Sequence, residues 1–198
     1  MKVGVLAVQG DFAEHIATLN RIEVGACEVR LPEHLEEVDG LIIPGGESTT
    51  LSRLMSIYRL REPVERMARQ GKPIWGTCAG MIMMANEITE KDPVPLQLMD
   101  IGVQRNAFGR QIDSFEQDLE VVGFGQRPFH AVFIRAPVII RVGRDVKVLA
   151  TLPDGWPIAV RQGHLLATSF HPELTDDTRF HEYFLNLIQQ RRSPSLAE

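Results

Sequence analysis

"GKPIWGTCAGMIMMA", residues 71–85, sets one cysteine in a knot of small residues between a short apolar run and a helix-forming stretch. "KPIWGTC" reads as a buried strand, and "AGMIMMANEI", residues 79–88, as the helix that follows it. Between them Gly76-Thr77-Cys78-Ala79-Gly80 has the form Gly-x-nucleophile-x-Gly. In that form a nucleophile occupies the sharp turn from strand into helix, and its neighbours are small because the turn leaves no room for bulk. Cys78 is therefore expected at the carboxyl edge of a sheet and at a helix amino terminus, whose dipole favours an anion.

The same strand-helix unit recurs upstream. "KVGVLAVQG" is a short apolar run ending at Gly10, and the helical period after it places Phe12, Ile16 and Leu19 on one face. "ACEVRL" and "GLIIPGG" repeat the short apolar type, and "ESTTLSRLMSIYRLREPVERMARQG" is a helical region expected to break near Pro63 and to close at Gly71. Strands alternating with helices predict an α/β fold: a doubly wound, mostly parallel central sheet, flavodoxin-like, with helices on both faces.

Beyond residue 118 the pattern changes. "LEVVGF", "HAVFIRAP", "VKVLATL", "PIAVRQG" and "HLLATSFHP" are strand-like with turns between them, which predicts an antiparallel extension. "TDDTRFHEYFLNLIQQRR" opens on capping Thr and Asp residues and puts Phe180, Phe184, Leu187 and Ile188 on one face, as a closing helix does. Residues 1–192 are expected to form one domain and residues 193–198 a flexible tail.

Composition bounds the function. With 198 residues, 44% of them hydrophobic, the chain can bury a core without covalent staples. Two cysteines, Cys27 and Cys78, with no signal-like amino terminus and no long uncharged apolar run, argue against a disulfide framework or a membrane span and for a cytoplasmic protein. A net charge of -5, with arginines scattered among acids, offers no basic surface to nucleic acid.

A thiol nucleophile needs a base, and "ATSFHPEL" offers one. Read as a strand, it points His171 and Glu173 to the same side, with Pro172 turned away. Glu173 would then accept the Nδ1 proton of His171 and leave the other ring nitrogen facing the sulfur. His15, His34, His130, His164 and His181 are read as ordinary structural or surface histidines. Acyl chemistry also needs donors for a developing oxyanion. The Ala79 amide is one candidate, and Gly46 in "PGGEST" is the other. That segment is no nucleotide loop, since it lacks the Gly-Lys-Ser/Thr ending.

Cys78 in its Gly-x-Cys-x-Gly turn, with His171-Pro172-Glu173 far downstream, resembles the class I glutamine amidotransferases. More narrowly, "LAVQGDFAEH", "PGGESTTL", "GTCAGMI", "RNAFGRQIDSFE", "VFIRAP" and "SFHPEL" resemble, nearly end to end, the family of glutaminase subunits of pyridoxal 5′-phosphate synthases. The resemblance implies hydrolysis of L-glutamine to glutamate and ammonia by a Cys78–His171–Glu173 triad. It also implies glutamine-binding roles for Gly46, Glu47, Ser48, Arg105, Ile134 and Arg135. Free glutamine carries an ammonium and a carboxylate, so a site needs an acid such as Glu47 and a guanidinium such as Arg105 or Arg135. Which of them meets which group stays open.

The implied partner is a separate (β/α)8-barrel synthase subunit (PdxS) that takes up the ammonia. No metal or cofactor is implied for this chain, pyridoxal 5′-phosphate being the partner's product. Met81, Met83 and Met84 at helical spacing are read as core rather than as an ammonia path. Two other classes are weighed: another cysteine hydrolase of the same fold, such as a peptidase or chaperone-like hydrolase, and a non-catalytic glutamine-sensing regulatory subunit. His-Pro-Glu joined to "PGGEST" argues against the first, and an intact triad against the second.

Overall fold

The computed structural model describes residues 1–105 and 114–192. The expected tail at 193–198, and residues 106–113 of the "RNAFGRQIDSFE" segment, lie outside the described residues.

The first half runs β1 (Lys2–Leu6), α1 (Phe12–Arg21), β2 (Gly25–Val29), β3 (Gly40–Ile43), α2 (Ser48–Ile57), α3 (Arg61–Arg69), β4 (Ile74–Thr77) and α4 (Ala79–Met84). The second half runs β5 (Ala85–Ile88), β6 (Met99–Gln104), β7 (Ser114–Leu119), β8 (Phe129–Ile134), β9 (Val138–Val142), β10 (Lys147–Thr151), β11 (Pro157–Gln162), β12 (Leu165–Thr168) and α5 (Arg179–Arg192).

Among the described residues, seven strands make the central sheet in the order β10-β11-β12-β4-β3-β1-β2. β12, β4, β3, β1 and β2 pair in parallel, while β10, β11 and β12 pair antiparallel, so the expected extension is present. β5, β6 and β9 form a second small sheet, and β7 and β8 a two-stranded ribbon. The chain passes from β1 outward to β2, then returns to the other side of β1 for β3. The loops after β1 and β3 therefore diverge and leave a crevice at the carboxyl edge, where open α/β sheets bind ligands.

Both faces of the sheet are covered, because successive side chains of a strand point to opposite sides. Leu41 and Ile43 of β3 pack with Leu51 and Met55 of α2, Val64 and Met67 of α3, and the Met81, Met83 and Met84 cluster of α4. Ile42 and Trp75 pack on the other face with Leu19 of α1 and Phe180, Phe184 and Ile188 of α5. The three methionines are fully buried, as the core reading required.

Three local expectations are corrected. The helix after Cys78 ends at Met84, and Ala85–Ile88 is strand β5, paired in parallel with β6. Ala85 takes ψ 149°, and cross-strand pairing overrides the helical preference of the sequence. The break between α2 and α3 falls at Tyr58–Leu60, where Arg59 has φ 57°, and not at Pro63. Pro63 sits in the first turn of α3, where its missing N–H costs nothing. Residues 120–124 of "LEVVGF" are not a strand. No described helix is long and apolar enough to cross a membrane.

Candidate active site

The turn between β4 and α4 explains its own glycines. Cys78 has φ 47° and ψ -104°, a backbone region that L side chains rarely enter and that recurs at functional turns. Its N–H donates to the Thr168 carbonyl at 2.8 Å, tying the turn to the neighbouring strand β12. A Cβ on Gly80 would lie 1.9 Å from the Ile43 carbonyl oxygen, and one on Gly76 2.5 Å from the Gly80 carbonyl group. Only glycines let the Cys78 turn sit this close to β3 and α4.

His171 follows β12, and its N–H donates to the Val132 carbonyl of β8 at 2.9 Å. The residues after it do not continue the strand: Pro172–Leu174 form a single 3-10 turn. The expectation that His171 and Glu173 share a strand face is thus corrected, although the pair does meet. His171 Nδ1 lies 2.7 Å from Glu173 Oε1, and the Glu173 side chain is wholly enclosed.

Burial alone would lower the His171 pKa, but the polar groups around the ring, Asp11, the Cys78 thiol and Glu173, outweigh it, and the imidazole is held well above its ordinary value. Burial pushes the Glu173 carboxyl up, opposed by its bond to His171. The close pairing favours the ionised arrangement, carboxylate against imidazolium.

A cavity of about 290 Å³ opens beside the thiol, lined by Asp11, Gly46, Glu47, Ser48, Cys78, Ile82, Arg105, Ile134, Arg135 and His171. Every residue expected to bind substrate is in that lining, and Ala79 sits buried directly after Cys78. A larger groove of about 1180 Å³ lies elsewhere, between Asp118 and Pro153, and its lining contains no cysteine or histidine.

Glu47 caps α2: its carboxylate accepts from Thr49 N–H at 3.0 Å and Thr50 N–H at 2.7 Å. Partial burial would raise its pKa, but these bonds prevail and hold it below the usual range. Arg105 Nη2 stands 3.4 Å from Glu47 Oε1, and Nη1 donates to the Asp92 carbonyl at 2.8 Å. An acid and a guanidinium thus face one another across one rim of the cavity. At another rim Arg135 has φ 43°.

A model described as the SNO glutamine amidotransferase family matches residues 5–190. The chain belongs to that family. Among relatives, it is 58% identical over 190 residues to the pyridoxal 5′-phosphate synthase subunit PdxT of Herpetosiphon aurantiacus, covering 94% of this chain and all of that one. It is 53% identical over 191 residues to a PdxT of Dehalococcoides mccartyi, covering 96% and 98%. A crystal structure described as a glutamine amidotransferase superposes with a TM-score of 0.89 at 52% identity, covering 94% and 98%. A putative GMP synthase component from Thermoplasma acidophilum shares the fold, with a TM-score of 0.70 at 16% identity over 98% and 96% of the chains.

Three residues beside this candidate site escaped the sequence reading. Asp11 Oδ2 lies 3.3 Å from His171 Nδ1. Asp11, His171 and Glu173 each offer an atom within 4.8 Å of the others, as a metal site would, but Nδ1 is committed to Glu173. His15 and His181, read as ordinary histidines, are fully buried behind Glu173 and bonded to each other at 3.0 Å. The available signal was the spacing of Asp11 and His15 directly after β1, one helical turn apart.

Proposed function

We propose that this protein is a glutaminase that hydrolyses L-glutamine to glutamate and ammonia and hands the ammonia to the (β/α)8-barrel subunit of a pyridoxal 5′-phosphate synthase. The observation that carries the reading is the meeting, in one cavity, of the Cys78 thiol, His171 bonded to Glu173, and the Glu47–Arg105 charge pair. The names of the PdxT relatives support the biosynthetic setting.

Chemistry follows from those positions. The Cys78 thiolate attacks the side-chain carboxamide carbon of glutamine, and the carbonyl oxygen becomes an oxyanion received by the Ala79 and Gly46 amides. The imidazolium of His171 gives its proton to the departing nitrogen, ammonia leaves, and a thioester remains. Neutral His171 then takes a proton from water as it attacks the thioester, and glutamate and the thiol are released. Glu173 orients the ring and stabilises its charged form. Glu47, Arg105 and Arg135 supply the charges that an amino acid's ammonium and carboxylate require. Gly46, Ser48 and Ile134 line the same cavity.

The test is ammonia release from glutamine, measured with and without the barrel subunit. Cys78→Ala should abolish it while leaving assembly with the barrel intact. Substantial retained turnover would overturn the reading, as would labelling of Cys27 in preference to Cys78 by a glutamine-like electrophile.

A further inference from the structure

Behind the triad lies a buried polar chain that the proposed chemistry does not use. His15 Nε2 is 3.3 Å from Glu173 Oε2 and 3.3 Å from Thr77 Oγ1, while His15 Nδ1 is 3.0 Å from His181 Nε2. The two histidines pack against Trp75, with ring centroids 5.6 Å and 5.0 Å away. His15 thus joins α1, the strand that ends at the nucleophile, the turn that carries the acid, and the closing helix.

We propose that His15 is a positioning residue for Glu173: held by Thr77 and His181, it sets the N–H dipole of its Nε2 beside Oε2 and so favours the carboxylate rotation that presents Oε1 to His171. This rests on the reading of Cys78, His171 and Glu173 as the triad.

Proton accounting fixes the direction. Glu173 Oε1 is occupied by the His171 Nδ1 proton, whereas Oε2 is buried with no regular hydrogen-bond partner among the described residues. A carboxylate free to rotate in an enclosed site would exchange its two oxygens and loosen the 2.7 Å contact. If His15 carried its proton on Nδ1, its Nε2 lone pair would face carboxylate lone pairs, and His181 would hold a buried Nδ1 proton without an acceptor. With the proton on Nε2, His15 can donate to Thr77 Oγ1 while the same N–H lies beside Oε2 as an electrostatic contact at 3.3 Å, and its Nδ1 accepts from His181 Nε2–H. Only a lone pair is then left at His181 Nδ1, the other enclosed atom without a partner. Burial lowers the His15 pKa first, with the nearby His181 and His171 charges adding, which keeps the ring neutral and able to donate and accept at once.

The experiment measures ammonia release by the assembled synthase for wild type, His15→Gln, His15→Asn and Cys78→Ala, normalised to alkylatable Cys78 where it is present. Gln carries its amide donor near the imidazole Nε2 position and Asn near Nδ1, so both are polar and only Gln reaches Glu173. The expected result is a kcat within about threefold of wild type for Gln and about 10–100-fold lower for Asn, with KM little changed. Equal losses for the two variants, equal retention, or an effect on KM alone would overturn the proposal. Nitrogen NMR of the wild-type protein gives a second reading free of folding effects: neutral His15 with its proton on Nε2 is required, and a proton on Nδ1 would overturn the assignment. Turnover by Cys78→Ala would instead sink the triad reading itself, so the two failures are distinct.

Discussion

Asp11 Oδ2 stands 3.3 Å from His171 Nδ1, the nitrogen already bonded to Glu173 at 2.7 Å. One imidazole proton is therefore flanked by two acids, one buried and one more than a third exposed, with Asp11 at 38%. The buried acid makes the shorter contact, and solvent screens the exposed one.

Asp11 should act as a reserve for Glu173. Asp11→Asn alone is expected to lower kcat less than about threefold, and Glu173→Gln about 10²-fold or more, since the amide still contacts the ring but no longer stabilises its charge. In the Glu173→Gln background Asp11 is the remaining anion at that nitrogen, so the double variant should fall below the product of the single effects, by about 1 kcal/mol of coupling or more. Strict additivity in turnover of the assembled synthase would show that Asp11 does not share the proton.

The buried histidine pair predicts a specific acid sensitivity. Burial, followed by the charge of Arg21, pushes His181 down to about 3, and His15 is also lowered, whereas an unfolded histidine titrates near 6.5. Below pH 6.5 the unfolded chain binds protons that the folded chain refuses, so stability is full above that value and is lost as pH falls toward 3. Each such histidine contributes a slope of about 1.4 kcal/mol per pH unit. The groups facing His181 are His15 and Trp75, and behind His15 stand Glu173 and Thr77. Urea unfolding between pH 4 and 7 should give His181→Gln a slope shallower by about that amount. Parallel slopes for variant and wild type would mean that His181 is charged in the folded protein.

How much of this was legible in the sequence divides along the sheet. β1, β3 and β4 are almost wholly buried, so they read as short apolar runs with a glycine near their carboxyl end whatever surrounds them. β5 did not read as a strand, because Asn86 and Glu87 are exposed and its pairing with β6 is set by residues more than ten positions away. The spacing of His171 and Glu173 named the right pair by the wrong route, a strand face where the chain makes a 3-10 turn. Cys78 was legible because the turn geometry dictates its glycines locally. His15 and His181 were not, since what they do depends on α1 and α5 meeting across 166 residues of chain.

Gly45 offers a test of how tightly the loop after β3 is fitted to His171. Its backbone does not take a left-handed φ, so alanine there meets no conformational penalty and the question is one of space. A Cβ would lie 2.3 Å from His171 Cε1, 2.9 Å from Nδ1 and 3.2 Å from Asp11 Oδ2. The ring has little freedom to yield, being held by Glu173 on one side and by the His171 N–H to the Val132 carbonyl behind it. The loop cannot shift freely either, because the Gly45 carbonyl accepts from the Asp11 N–H at 3.1 Å. Gly45→Ala should therefore push the imidazole off Glu173, lowering kcat about 10²-fold or more and stability by about 1–3 kcal/mol, as overpacking does. Alkylation of Cys78 at neutral pH should slow in parallel, since the ring that lines the cavity beside the thiol has moved. Gly25→Ala is the control, its new Cβ reaching only ordinary contact, 3.5 Å from the Met1 carbonyl. Unchanged turnover and unchanged Cys78 labelling in Gly45→Ala would show that loop and base are not in the fitted contact described, while a loss shared by Gly25→Ala would trace the effect to the sheet and not to the site.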